Sequence, residues 1–277
     1  MSDNWFTEKH TPHAGISLSY KEKLHEEQSH FQRIEVLDTD EYGRMLVLDG
    51  CVMLTDRDEF VYHEMIVHPA MLTHPDPRSI LIVGGGDGGS VREVLKHAEV
   101  EQVHLVEIDE AVITTSRKFF PALTTGLDDP RVSIFCEDGF AFLEAREASY
   151  DIILVDSIDP VGEAAKLFTA SFYAKVKAAL KPGGTGVFQT EAPFYSTKVL
   201  GEVRDALSPG FAHVAHYLAF IPTYPTGLWS FTFASDRINP AREELLRKPA
   251  FLESLNYFNP DVFKAAFVLP NFIRRQL

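Results

Sequence analysis

The chain has 277 residues, 45% of them hydrophobic, with 26 basic against 40 acidic side chains and a net charge of −14. That balance argues against nucleic acid as a partner and favours cationic ligands. No apolar stretch is long enough to span a bilayer, and Met1-Ser2-Asp3-Asn4-Trp5 has neither the basic start nor the apolar core of a secretory signal, so a soluble, cytoplasmic, globular protein is expected.

Residues up to about Thr55 read as short strands. Ile16, Leu18 and Tyr20 alternate with polar residues, as do Ile34 and Val36, while Asp40-Glu41-Tyr42-Gly43 and Asp49-Gly50 supply turns. The expectation is a small antiparallel β domain over residues 1–60, too slight to stand alone and so packed on a larger domain over 61–277. Phe60 to Leu72 has helical spacing, interrupted at Pro69, and His74-Pro75-Asp76-Pro77 leads into the main domain.

From there strands and helices alternate. Candidate strands are Ser79–Val83, Val103–Glu107, Val132–Cys136, Asp151–Val155 and Thr185–Gln189, which predicts a parallel sheet with helices on both faces. His213–Phe220 and Leu228–Ala234 are joined by Ile221-Pro222-Thr223-Tyr224-Pro225-Thr226-Gly227, too short for a parallel crossover, so this pair should be an antiparallel hairpin. The fold class is therefore α/β: a seven-stranded, methyltransferase-like Rossmann sheet with its last strand antiparallel, preceded by the small β domain. The segment after Asn239 reads as short helices covering an edge.

Ligands of an open parallel sheet bind beyond the carboxyl ends of its strands, and this chain puts acids there. The run Ile80–Val83 enters Gly84-Gly85-Gly86-Asp87-Gly88-Gly89, a glycine turn that lets backbone approach a ligand. Asp87 would repel a pyrophosphate or carboxylate and attract an ammonium, which points to a nucleoside with a cationic tail. Glu107 stands about 20 residues on, where an acid holds ribose hydroxyls. Asp109 reads better as the cap of the helix near Ala111. Asp138-Gly139 is either a turn or an adenine contact. Asp156 and Asp159, ending an apolar strand, form a pair suited to acid–base work, and Gly162 to Lys166 reads as a flap. Tyr62, His63 and Tyr224 would wall a diamine site, or are ordinary core aromatics. Cys51 and Cys136 lie in apolar patterns and predict buried thiols in a reducing compartment. The spacing His63-Glu64-x-x-x-His68 does not fit a helical metal site, so no metal is expected.

These segments together resemble the spermidine synthases, the polyamine aminopropyltransferases. The matching stretches are Leu48-Asp49-Gly50, Asp58 to Met65, Gly84 to Gly89, Val106 to Asp109, Asp138-Gly139, Asp156-Ser157-x-Asp159-Pro160 and Ile221 to Pro225, spread from near Trp5 to about Asp236. The resemblance implies aminopropyl transfer from decarboxylated S-adenosylmethionine, a co-substrate rather than a cofactor, to putrescine, giving spermidine and methylthioadenosine. It implies Asp156 as general base, Gln32 and Glu107 on the ribose, and Asp138 with Gly139 on the adenine. Asp87 would hold the aminopropyl ammonium, and Trp5, Tyr62, His63, Asp159 and Tyr224 would shape the amine site. Family members are commonly dimers or tetramers, so a homodimer or homotetramer is expected.

The flap departs from the family. Many members read Gly-Pro-Ala-Glu before Leu-Phe, whereas this chain reads Gly162-Glu163-Ala164-Ala165-Lys166-Leu167-Phe168. Glu163 replaces a proline whose backbone lies near the adenine, and Lys166 would add a cation at the amine-binding mouth. The change bears on the acceptor, for which agmatine or cadaverine are the alternatives, while the intact Pro222–Pro225 loop keeps putrescine first. A methyltransferase would tolerate the methionine carboxylate that Asp87 opposes, and a nicotinamide oxidoreductase would place pyrophosphate against that acid. A non-catalytic polyamine-binding protein is the remaining alternative.

Overall fold

A computed structural model describes residues 4–158 and 162–277. Strands β1 (Trp5–Thr11), β2 (Ala14–Gln28), β3 (Arg33–Thr39), β4 (Arg44–Leu48) and β5 (Cys51–Thr55) pair in sequence order into an antiparallel sheet. At 15 residues, β2 is longer than the short strands its sequence suggests. The β4–β5 turn is Asp49-Gly50, both left-handed at φ 49° and 84°, the backbone twist that suits a tight hairpin.

Helix α1 (Glu59–Thr73) follows and is buried from Val61 through Thr73. A helix apolar on every side belongs in a core, and its few polar groups are partnered. Glu64 accepts the backbone N–H groups of Asn256, Tyr257 and Phe258 at 2.9, 2.8 and 2.7 Å. His68 meets Glu93 at 3.0 Å. The expected interruption at Pro69 does not occur, since α1 runs through it. Pro69 has no N–H for the Met65 carbonyl, and the Tyr217 hydroxyl donates to that oxygen instead, at 2.8 Å.

The main domain alternates β6 (Ser79–Gly84), α2 (Gly89–Leu95), β7 (Gln102–Val106), α3 (Glu110–Phe119), β8 (Val132–Phe135), α4 (Gly139–Glu144), β9 (Tyr150–Asp156), α5 (Ala170–Ala179), β10 (Leu180–Gln189), α6 (Val199–Leu207), β11 (His213–Phe220) and β12 (Leu228–Ser235). The sheet order is β11-β12-β10-β9-β6-β7-β8, with β6 to β10 parallel and β12 antiparallel to both neighbours. This is the predicted seven-stranded class. The chain leaves β6 toward β7 and β8, then returns to place β9 on the other side, so the crevice lies beyond the ends of β6 and β9.

Val112, Phe120 and Leu123, on α3 and just after it, join Ile34, Leu46 and Leu54 in one buried cluster, which docks the N-terminal sheet beside that crevice. Helix α7 (Pro260–Ala266) packs on the edge strand β11, with the Phe267 and Tyr217 rings 5.0 Å apart. Both cysteines are exposed, contrary to the expected buried thiols. Cys51 opens β5 directly after the turn and Cys136 falls one residue past β8, so neither occupies an inward strand position.

Candidate active site

Gly84 pairs in register with Asp156, and the Gly85 N–H donates to the Asp156 carbonyl at 2.9 Å. Gly84 has φ +83°, and a Cβ there would fall 2.0 Å from that carbonyl oxygen, so glycine is required. The close approach tucks the Asp156 side chain under the glycine turn. Ser90 Oγ donates to its Oδ2 at 2.6 Å, and the Tyr62 hydroxyl bonds to the same carboxylate. Burial, reinforced by the neighbouring charge of Asp87, raises the Asp156 carboxyl above its usual range.

Asp87 behaves oppositely. Burial pushes it up, but the charge and hydrogen bond of His63, with the Gly89 N–H at 2.7 Å, outweigh burial and leave it lowered. His63 lies between two acids, Nδ1 at 2.6 Å from Glu59 and Nε2 at 3.1 Å from Asp87. Burial opposes a charge on the ring, yet Asp87 and Glu59 together push it up to about 10. Arg92 clamps Glu59 through two bonds of 2.9 Å. The row Arg92, Glu59, His63, Asp87 thus alternates in charge, and Asp156 stands beside its negative end. One donor atom each of His63, Asp87 and Asp156 lies within 4.8 Å of the others. Both His63 nitrogens face carboxylates, and an imidazolium has no lone pair for a metal.

A second group of acids lies across the turn. Glu107 accepts the Gly86 N–H at 3.2 Å and the Asp109 N–H at 3.0 Å. Burial dominates those two bonds and pushes its carboxyl up to about 7. Asp109 caps α3 through Ala111 N–H at 3.1 Å, as its position predicts, and also receives Gln32 Nε2 at 2.9 Å. It thereby fixes Gln32 beside Glu107. Asp138 caps α4 through the Phe140 N–H at 2.8 Å.

Gln32, Glu107, Asp138 and Gly139 line one cavity of about 300 Å³ together with His63, Asp87 and Asp156. Asp87 and Asp156 face this one space. Tyr62 and Tyr224 wall it, with ring centres 5.9 Å apart, and Tyr224 stands edge-on to Trp229 at 4.7 Å. The Tyr224 hydroxyl donates to the Met53 carbonyl. Its loop is pinned by the buried Asp58, which accepts the Thr223 N–H at 3.0 Å and the Thr223 hydroxyl at 2.7 Å.

Other expectations need correction. Trp5 is 63% exposed and outside the cavity lining, because strand alternation turns it away. Its strand neighbour Glu8 faces the cavity instead, a residue the sequence reading passed over. Lys166 lines the cavity, and its Nζ lies 2.5 Å from Asp138 Oδ2. Although burial opposes ionisation, that contact and the Phe140 N–H lower Asp138. Asp159 lies outside the described residues, as does the side chain of Glu163. Glu59, Arg92 and Asp58 were also missed. The Glu59–His63 spacing of four on a helix was the available signal.

Fold and site define a methyltransferase-like α/β protein whose switch-point cavity is lined with acids. A family model described as Spermine/spermidine synthase domain matches residues 59–244, and one described as Spermidine synthase tetramerisation domain matches residues 4–56. The polyamine aminopropyltransferase of Bacillus subtilis (strain 168) is 46% identical over 273 residues, spanning 99% of this chain and 98% of that protein. A spermidine synthase solved in complex with the transition state analogue AdoDATO superposes with a TM-score of 0.94 at 38% identity, over 100% of this chain and 95% of that one. The spermidine synthase of Thermotoga maritima gives 0.93 at 38%, over 100% and 94%. The chain belongs to the spermine/spermidine synthase family and is by class an aminopropyltransferase.

Proposed function

We propose that the protein makes spermidine, transferring the aminopropyl group of decarboxylated S-adenosylmethionine, as co-substrate, to putrescine. The observation that carries this is the shared cavity, in which Asp156, its carboxyl raised by burial, and Asp87, its carboxyl lowered by His63, lie with Glu107, Asp138 and Gln32. In this reading Glu107 and Gln32 hold the ribose, Asp138 and Gly139 the adenine, and Asp87 the aminopropyl ammonium. Glu163 would supply backbone near the adenine, and Tyr62, His63, Asp159 and Tyr224 would surround the acceptor. The AdoDATO complex of the related spermidine synthase supports the same donor.

The sulfonium is already a good leaving group, so the chemical difficulty is the nucleophile. An alkyl amine, with a pKa of about 10, arrives protonated at neutral pH. Two cations entering the cavity lower the raised Asp156 carboxyl and ionise it, which readies it to accept the ammonium proton. The freed nitrogen lone pair then forms the N–C bond to the methylene carbon as the C–S bond breaks. The bonding electrons stay on sulfur, leaving a neutral thioether in methylthioadenosine. Holding nitrogen, carbon and sulfur in line supplies much of the remaining acceleration.

Asp156→Asn should lower kcat by roughly 10²- to 10⁴-fold while methylthioadenosine still binds. Assays with decarboxylated and intact S-adenosylmethionine, putrescine present, complete the test. Turnover retained by the variant, or methyl transfer from the intact donor, overturns the proposal. The tetramerisation-domain match over residues 4–56 supports a homotetramer assembled through the N-terminal sheet. Among the described residues no helix is long and apolar enough to cross a membrane.

A further inference from the structure

Asp156 has a buried partner that the mechanism above leaves without a role. Ser90, the second residue of α2, is fully buried, and its hydroxyl donates to Asp156 Oδ2 at 2.6 Å. That length is typical of an O–H donated to an ionised carboxylate. A serine within a helix commonly faces solvent or turns its hydroxyl back to a carbonyl of the preceding turn. This one instead reaches across to the last residue of β9. Gly85 closes another side of the same oxygen, since a Cβ there would fall 2.9 Å from Oδ2. Oδ2 is thus enclosed by the glycine turn and α2, which leaves Oδ1 as the oxygen to take a proton.

The other groups around Asp156 act by charge. Tyr62 and His63 face it from α1 and Asp87 from the glycine turn, while Glu8, Glu107 and Tyr224 stand across the cavity. Asp87 opposes an ionised Asp156 and His63 favours it, so these two largely work against each other. Ser90 is neutral and lies behind Asp156, outside the cavity lining, where an entering substrate does not displace it. A donor that stays in place favours the ionised carboxylate over the protonated one. The same bond fixes the rotation of the carboxylate, the orientation on which transfer of the amine proton depends.

We propose that Ser90 is a positioning residue for the base: its hydroxyl holds Asp156 by Oδ2 and keeps the carboxylate ionised and aimed to take the amine proton. This deepens the function proposed above and rests on its assignment of Asp156 as base. The test compares Ser90→Ala, Ser90→Thr and Ser90→Val with wild type. Threonine and valine have the same shape and crowd the site equally, so the difference between them reports the hydroxyl alone. Two profiles are followed with pH. One is kcat/KM for putrescine; the other is the Asp156 carboxyl-carbon NMR signal of unliganded protein, identified by its loss in Asp156→Asn. In Ser90→Ala and Ser90→Val the NMR midpoint and the acid limb of kcat/KM should both move up by roughly one pH unit, the scale of losing a hydrogen bond to a charged group. The kcat/KM value then falls roughly tenfold on the acid side and returns toward wild type on the alkaline side. Ser90→Thr should keep both profiles near those of wild type. A loss uniform across pH, an unmoved NMR midpoint, or a Ser90→Thr no closer to wild type than Ser90→Val overturns the proposal. Should the bulkier pair not fold, Ser90→Ala, which only removes an oxygen, decides by the first two criteria. An NMR midpoint that moves while the rate profile does not refutes Asp156 as base, and a wild type that transfers nothing refutes the proposed reaction. In both cases the NMR midpoint still decides whether Ser90 sets the state of the carboxylate.

Discussion

Replacing Gly89 by alanine sets two effects of opposite sign against each other. Gly89 opens α2 with a negative φ, so alanine fits the backbone and by helix propensity alone would stabilise it by roughly 0.5–1 kcal/mol. The neighbour decides otherwise: an added Cβ would fall 2.3 Å from His63 Cε1 and 2.4 Å from its Nε2. His63 cannot swing aside freely, since Glu59 and Asp87 hold its two nitrogens and Tyr62 stands edge-on to it at 5.6 Å. Parting the imidazolium from its buried carboxylates costs about 3–5 kcal/mol, the usual loss when one member of a buried pair is removed. The net loss should therefore be ~2–4 kcal/mol after the propensity gain is subtracted. Urea unfolding at pH 7 measures it. The same substitution in a His63→Ala background removes the obstacle and should be neutral or stabilising. Gly89→Ala with wild-type stability, or an equal loss in both backgrounds, would refute the reasoning.

Acidity gives a second test. His63 rises from 6.5 unfolded to about 10 folded, so the folded state holds its proton more tightly across that interval. The associated stability is complete below pH 6.5 and is lost as pH climbs through about 10, at up to ~1.4 kcal/mol per pH unit. Urea midpoints between pH 7 and 9.5 should fall more steeply for wild type than for His63→Gln, and parallel slopes would contradict this. Lys166→Ala concerns the donor end. Lys166 and Asp138 are each about one-third exposed, and such pairs contribute at most ~1 kcal/mol, so removing the competitor for Asp138 should tighten methylthioadenosine binding by no more than about fivefold. The salt dependence of that binding should shrink as well, and calorimetry showing weaker binding would count against the competition.

What the sequence revealed and what it hid separate along a physical line. Buried parallel strands must be apolar on both faces, so β6 and β9 stand out as continuous runs ended by residues that line the cavity. The seven-residue link before β12 settles its direction by length alone. Local hydrogen bonding is equally readable, which is why the Asp109 cap follows from its neighbours. Pro69 resists such reading because its compensation, the Tyr217 hydroxyl, comes from 152 residues away. Trp5 and Glu8 share one strand, and only packing against β5 decides which of them faces the cavity. Charge is the deepest case. Asp87 in a glycine turn reads as bare negative potential awaiting an ammonium, yet α1 delivers a doubly bonded imidazolium to it. Its charge is thus already met, whereas burial holds the carboxyls of Glu8, Glu107 and Asp156 above their usual range. If the proposed function holds, selectivity for cationic substrates rests on the desolvation of these three carboxylates more than on the acid that first draws the eye. A cation arriving beside any of the three favours its ionised form, so substrate charge and carboxylate charge would reinforce one another in the proposed reaction.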